Sequence, residues 1–291
     1  MSPTSSDPAL SADAITGRLS AAGCVFAEEE ARLLIESASS PDALRAMVSE
    51  RVAGVPLEHV VGWAEFCGLR IAIDPGVFVP RRRSELLARR AAELCRPGGT
   101  APRNPQRGRP GGTTARNPQR GLAAPASVVI DLACGSGAIG AVIATLAADV
   151  ELHAADIDPA AVACARRNLA PVGGQVYAGD LYEPLPRRLR GRVSVIAANV
   201  PYVPTEAVTL MPPEARAYEP LVALDGGPDG LDVLRRAAVG AVAWLMPGGH
   251  LLIETASGQA EIAAAAFAAA GLAATVARDE ELGATVVIGR R

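Results

Sequence analysis

Val128-Val-Ile-Asp-Leu-Ala-Cys-Gly-Ser-Gly-Ala-Ile-Gly140 is the stretch on which the fold turns. An apolar run, Val128 to Leu132, runs straight into a glycine-rich loop, and the loop into an apolar helical pattern over Ala138 to Ala148. Glycines in such a loop let a ligand approach the backbone, and the first turn of the helix leaves its amide N–H groups free. Outward from here, short apolar runs alternate with helical patterns. Strands fit Val150 to Ala155, Gln175 to Ala178, Val193 to Ala198, Leu251 to Glu254, Ala273 to Ala277 and Thr285 to Ile288; helices fit Pro159 to Leu169 and roughly 229–246 and 258–270. This alternation predicts a mostly parallel sheet with helices on both faces, and ligands bind such sheets at the carboxyl ends of the strands.

The loop admits two readings. Gly135-x-Gly137-x-x-Gly140 spells a dinucleotide fingerprint, and Asp156 ends the next strand where a ribose-binding acid belongs, which would make the chain an NAD-dependent oxidoreductase. Asp131 argues otherwise: a carboxylate closing the strand repels a pyrophosphate but suits a cationic ligand. Asp131-x-Ala133-x-Gly135-x-Gly137 resembles motif I (D-x-G-x-G-x-G) of class I S-adenosylmethionine-dependent methyltransferases, with Ala133 at the first glycine. The resemblance implies that this loop and Asp156, as ribose ligand, bind S-adenosylmethionine. Asp158, just before Pro159, is the better helix cap.

After the strand Val193 to Ala198 comes Asn199-Val-Pro-Tyr202, similar to the N-P-P-Y motif of methyltransferases that modify a planar nitrogen, either an amide or the exocyclic amine of adenine. The lone pair of such a nitrogen is delocalised, so the site must accept both N–H bonds and hold the nitrogen in line with the methyl donor. The Asn199 side-chain oxygen and the Val200 carbonyl are the candidate acceptors. Pro201 stiffens the loop, and Tyr202 packs on the planar target group. Val200 stands where the motif has proline; its carbonyl serves equally, with some loss of rigidity.

Further stretches narrow the acceptor. Pro56-Leu-Glu-His-Val-Val-Gly-Trp-Ala-Glu-Phe66, Gly68-Leu69, Phe78-Val-Pro-Arg81 with Glu85, Tyr218-Glu-Pro-Leu221 and Leu224-Asp-Gly-Gly-Pro-Asp-Gly-Leu231 resemble stretches of the PrmC/HemK family, whose members are N5-glutamine methyltransferases acting on peptide-chain release factors. The resemblance spans about 55–260. It implies a Rossmann-like seven-stranded α/β domain with an antiparallel last strand, a small N-terminal helical domain and a linking β-hairpin. It implies a protein glutamine as acceptor, places Asp180 and Leu181 on the adenine side of the cofactor with Asn199 beside it, and gives Arg81 and Glu85 positions joining the domains. Arg82 and Val200, where the family has proline, mark a divergent branch.

The expected division is a helical substrate-recognition domain at 1–65, a hairpin and linking helix at 66–95, with its turn at Asp74-Pro75-Gly76, a flexible insertion at 96–125 and the methyltransferase domain at 126–291. The insertion repeats Arg-Asn-Pro-Gln-Arg-Gly at 103–108 and 116–121 and holds six arginines and no acid. An adenine-N6 methyltransferase of nucleic acid would share Asn-x-Pro-Tyr and use that insertion; the absence of interleaved aromatics and a net charge of −3 disfavour it.

Composition sets the outer bounds. The chain has 291 residues, 49% hydrophobic and 20% charged, a soluble globular balance. It contains no lysine, which removes Schiff-base and P-loop chemistry. Five scattered cysteines without a C-x-x-C pair and an N-terminus without a secretory pattern point to the cytoplasm, and no stretch reads as a membrane span. His59, His153 and His250 stand alone, so no metal site is expected. Cys134 in the loop reads as small-residue filling. The expected state is a monomer.

Overall fold

The computed structural model describes residues 7–95, 127–147 and 149–291, so the arginine-rich insertion lies outside the described residues. The N-terminal region is helical: α1 (Ala12–Ala21), α2 (Ala27–Ser37), α3 (Pro41–Val52) and α4 (Leu57–Val61). Ser11 and Ser40 cap α1 and α3 with their hydroxyls, and Glu28, Glu29 and Glu30 lie in the first turn of α2, where the helix dipole favours them. Ile15, Leu19, Leu34 and Val48 are fully buried against one another, so this region has a small core of its own.

A two-stranded hairpin follows, β1 (Trp63–Phe66) and β2 (Leu69–Ala72), then α5 (Glu85–Leu94). Its turn is not the expected Asp74-Pro75-Gly76. It is Cys67-Gly68, with φ of 51° and 76°, the doubly left-handed two-residue turn that matches the twist of paired strands. Asp74 to Val77 does turn, through Val77 N–H to the Asp74 carbonyl, but no strand follows it. The pairing runs on to Ile73 N–H, which bonds the Gly62 carbonyl, and Asn168 takes the outward-facing N–H and carbonyl of Ala72 with its side-chain amide. The helices therefore end at Val61, and Trp63 to Glu65 belong to the hairpin.

The remaining chain alternates as expected: β3 (Ser127–Leu132), α6 (Ala138–Leu146), β4 (Val150–Asp156), α7 (Pro159–Leu169), β5 (Gln175–Ala178), β6 (Val193–Ala198), short α8 (Thr205–Val208) and α9 (Pro213–Tyr218), α10 (Asp232–Trp244), β7 (Leu245–Glu254), α11 (Ala260–Ala269), β8 (Ala273–Asp279) and β9 (Ala284–Arg290). The seven strands stand in the order β5-β4-β3-β6-β7-β9-β8, and β9 is antiparallel to both neighbours. β3 and β6 are central and almost wholly buried, as strands covered on both faces must be. One face packs against α5, α6, α7 and the hairpin, the other against α10 and α11. β7 begins six residues earlier than its apolar run suggests, because Pro247-Gly248-Gly249 is carried as an irregularity in its pairing with β6.

The register sets the site. Leu132 pairs with Ala198, so Ala133 and Asn199, the next residue of each chain segment, leave the sheet side by side where the connections diverge.

Candidate active site

The glycine loop after β3 forms one wall of a cleft also lined by Phe66, Phe78, Pro80, Asp156, Asn199 and Val222. Ala133 adopts φ 50°, a left-handed conformation that costs an L-residue with a Cβ roughly 1–2 kcal/mol. Ala133→Gly is therefore expected to stabilise the protein by roughly 0.5–1 kcal/mol, since the relieved strain exceeds the added freedom of the unfolded chain. A rise in thermal midpoint of a few degrees is the expected reading. Gly135 has φ 54°, and a Cβ there would meet nothing within 4 Å, which leaves its backbone open to a ligand. At Gly137, by contrast, a Cβ would come within 3.0 Å of Leu169, so this glycine serves packing of α6 on α7.

Two carboxylates shape the loop differently. Asp156 accepts from Gly135 N–H at 2.8 Å and from Asp158 N–H at 2.9 Å, one bond to each oxygen, and lines the cleft. Each oxygen keeps a lone pair for a hydroxyl of a ligand. Burial raises its pKa, opposed by those backbone donors. Asp131 is fully buried behind the loop, not on its wall: one oxygen accepts from Gly140 N–H at 2.8 Å and the other has no partner among the described residues. Burial pushes its carboxyl up to about 8, with Gly140 opposing and Asp156 adding to the shift. Asp158 caps α7 through Ala160 N–H, as expected. Cys134 lines the cleft, but burial, with Asp131 and Asp156 nearby, holds its thiol neutral.

A second, smaller cavity adjoins this cleft and shares Phe78, Asn199, Pro201 and Ala223 with it. Asn199 thus stands in the wall between the two. Its Nδ2 donates to Ser84 Oγ at 3.2 Å, and Oδ1 has no donor among the described residues. Val200 is buried, and among the described residues nothing donates to its carbonyl. Tyr202 donates its hydroxyl to Glu254 at 3.0 Å, while its carbonyl accepts from Gln259 Nε2 at 2.9 Å. Burial, reinforced by the Glu254 charge, raises the phenol pKa, so Tyr202 is a fixed donor rather than a base. The Asp225-Gly-Gly-Pro-Asp-Gly230 stretch supports the tetrapeptide from behind. A Cβ on Gly226 would lie 2.6 Å from the Pro201 carbonyl oxygen and one on Gly230 2.3 Å from that of Tyr202.

Asp180 and Leu181 are not on the walls of either cavity. Asp180 forms an ion pair with Arg236, and Leu181 adopts φ 44°. The next residue, Tyr182, is half-buried and stacks on Trp244. Arg81 pairs with Glu219 at 2.5 Å, joining two of the motif stretches read from the sequence, whereas Glu85 accepts from Cys67 N–H and Arg89. Sequence reading missed Ser84, Glu254 and Gln259. Each acts through a contact 52 to 115 residues away in the chain, which no local pattern encodes.

Through Arg81, Arg83 and Met211 the smaller cavity opens into a groove of about 820 Å³ between the helical region and the segment before α9. Arg51 bridges that groove, reaching Glu30 at 2.6 Å and Glu214 at 3.0 Å. Among the described residues no cluster of His, Cys, Asp and Glu could hold a metal ion, and no helix is long and apolar enough to cross a membrane.

The family model Methyltransferase small domain matches residues 120–211. The chain is 32% identical over 251 residues to the release factor glutamine methyltransferase of Geobacter sulfurreducens, covering 86% of this chain and 78% of that one. It is 35% identical over 232 residues to the enzyme of the same name from Bordetella pertussis, covering 79% and 75%. A 4-amino-L-phenylalanine/4-methylamino-L-phenylalanine methyltransferase of Streptomyces pristinaespiralis is 30% identical over 279 residues, with 89% and 86% covered. Several such relatives, spanning most of the chain, agree with the sheet order and the paired loops, and the chain belongs to the release factor glutamine methyltransferase family.

Proposed function

We propose that this protein transfers the methyl group of S-adenosylmethionine to the side-chain amide nitrogen of a protein glutamine, with a peptide-chain release factor as the acceptor protein. The observation that carries the reading is the place of Asn199, in the wall shared by the cleft of the glycine loop and the smaller cavity, with Oδ1 free.

The cleft suits the cofactor. Open backbone at Gly135, a carboxylate on the wall at Asp156 and apolar surface from Phe66, Phe78 and Val222 match a molecule with a ribose, a polar methionyl end and an aromatic base. When bound, S-adenosylmethionine supplies an electrophilic methyl group on a sulfonium centre. Asp156 would take the ribose hydroxyls, and the Ala133 to Gly137 loop would lie along the methionyl portion.

The chain's own part is positioning and charge. Asn199 Oδ1 and the Val200 carbonyl accept the two amide N–H bonds, hold the nitrogen in line with the methyl group and favour the positive charge that grows on it. Pro201 limits the loop, and the Tyr202 ring packs against the carboxamide plane. The nitrogen gains a bond to the methyl carbon as that carbon's bond to sulfur breaks and S-adenosylhomocysteine leaves, and it loses one proton. Neither Glu254 nor Glu219 lines the two cavities, and one oxygen of each is taken, by Tyr202 with Arg83 and by Arg81, so the proton leaves to water. An N-protonated amide is acidic enough to need no base.

Calorimetric titration with S-adenosylhomocysteine, with NAD as comparator, tests the cofactor assignment. Selective binding of S-adenosylhomocysteine is expected, weakened at least tenfold in Asp156→Ala. Mass spectrometry of an unmethylated release factor incubated with enzyme and cofactor is expected to show one added methyl group on a glutamine. Binding of NAD in preference, or methylation of a small arylamine and not the protein, would overturn the corresponding half of the proposal.

A further inference from the structure

Ser84 occupies the N-cap position of α5, where a serine hydroxyl ordinarily accepts from backbone N–H groups of the first turn. Here it makes no such bond. Its backbone is already helical, its side chain is buried, and its oxygen accepts from Asn199 Nδ2 across 115 residues of sequence. A strong capping group is thus withdrawn from the helix and given to the tetrapeptide. The segment carrying it is held on two sides: Arg81 pairs with Glu219, and Arg83 with Glu254, the same carboxylate that receives the Tyr202 hydroxyl. Ser84 is therefore placed by groups independent of Asn199.

A carboxamide can present either its oxygen or its NH2 along a given direction, and only the oxygen accepts an incoming N–H bond. We propose that Ser84 is a positioning residue for methyl transfer: its hydroxyl satisfies Nδ2 and fixes the amide plane of Asn199, so that Oδ1 faces the target nitrogen. This rests on the reading of Asn199 as acceptor of the target N–H. Loss of the hydroxyl frees the amide to turn, and a donor facing a donor makes that fraction of complexes unproductive. Ser84 also lines the cleft of the glycine loop, but its oxygen is taken up by Asn199 Nδ2, so the effect falls on turnover rather than on cofactor affinity.

The test compares Ser84→Thr, which keeps the hydroxyl, with Ser84→Val, which matches threonine in shape and lacks it. With a release factor as acceptor, Ser84→Val is expected to lower kcat about tenfold, with KM and S-adenosylhomocysteine affinity within twofold, and Ser84→Thr to stay near the parent. In the background of Asn199→Ala, Ser84→Val is expected to cost nothing more. If Ser84→Val turns over like the parent while Asn199→Ala does not, the positioning role is overturned and the reading of Asn199 stands. If Asn199→Ala turns over normally, that reading itself fails. A readout without any acceptor is the side-chain amide of Asn199 in nitrogen-15 spectra of the S-adenosylhomocysteine complex. Slow hydrogen exchange is expected in the parent and Ser84→Thr and fast exchange in Ser84→Val; equal rates in all three overturn the proposal. Should Ser84→Val not fold, Ser84→Ala takes its place in each comparison.

Discussion

Asn199→Ala is expected to lower kcat by about a thousandfold, the size seen when one preorganised polar group facing developing charge is removed. The side chain stands between the two cavities with Oδ1 unengaged among the described residues, so its loss removes both alignment and stabilisation of charge on the nitrogen. Affinity for S-adenosylhomocysteine should fall far less than kcat, because Asn199 borders the cleft while the ribose carboxylate and the glycine loop belong to other strands. Thermal unfolding should move little, since Asn199 is only half-buried. Single-turnover transfer with saturating cofactor is the measurement; retention of more than a tenth of the parent rate would remove Asn199 from the reaction.

Gly226→Ala is expected to be nearly as damaging without touching any group in the reaction. The new methyl carbon would lie 2.5 Å from the Gly230 carbonyl oxygen and 2.6 Å from that of Pro201, both backbone atoms that cannot swing aside. The tetrapeptide must then move by a substantial fraction of an ångström, and displacements of about 1 Å at a reacting centre cost on the order of a hundredfold in rate. Overpacking of this kind also costs about 1–3 kcal/mol of stability. Gly258→Ala is the control, because a Cβ there meets nothing within 4 Å. A normal kcat in Gly226→Ala would mean that the stretch from Asp225 to Gly230 does not brace the acceptor loop.

What the sequence made legible and what it did not divide along chain distance. The parallel sheet, the helix beginning at Pro159 with its Asp158 cap, and the helical N-terminal region follow from local patterns and appear as expected. The hairpin was misplaced because Asp-Pro-Gly is a strong turn signal whereas Cys67-Gly68 is a weak one. At the site, the residues expected to meet the ligand were visible as motifs, yet Asp131 turns its carboxylate into the protein and Asp180 is held by Arg236. The partners that hold the tetrapeptide, Ser84, Glu254 and Gln259, are ordinary polar residues in the sequence. Their roles exist only through the tertiary contacts that bury them.

The pairing of Leu132 with Ala198 has an evolutionary corollary. The loop that would carry the methyl donor and the loop that would receive the target nitrogen spring from neighbouring strands, whose separation is fixed at about 4.8 Å by backbone hydrogen bonding. The reach of the transfer is thereby inherited from the main chain and is indifferent to side-chain identity. The walls that would recognise an acceptor, Phe78, Arg83, Met211 and Leu224, come from separate segments of the chain. Those walls can drift toward new acceptors while the geometry of transfer stays constant, so such a scaffold can change clientele without relearning its chemistry.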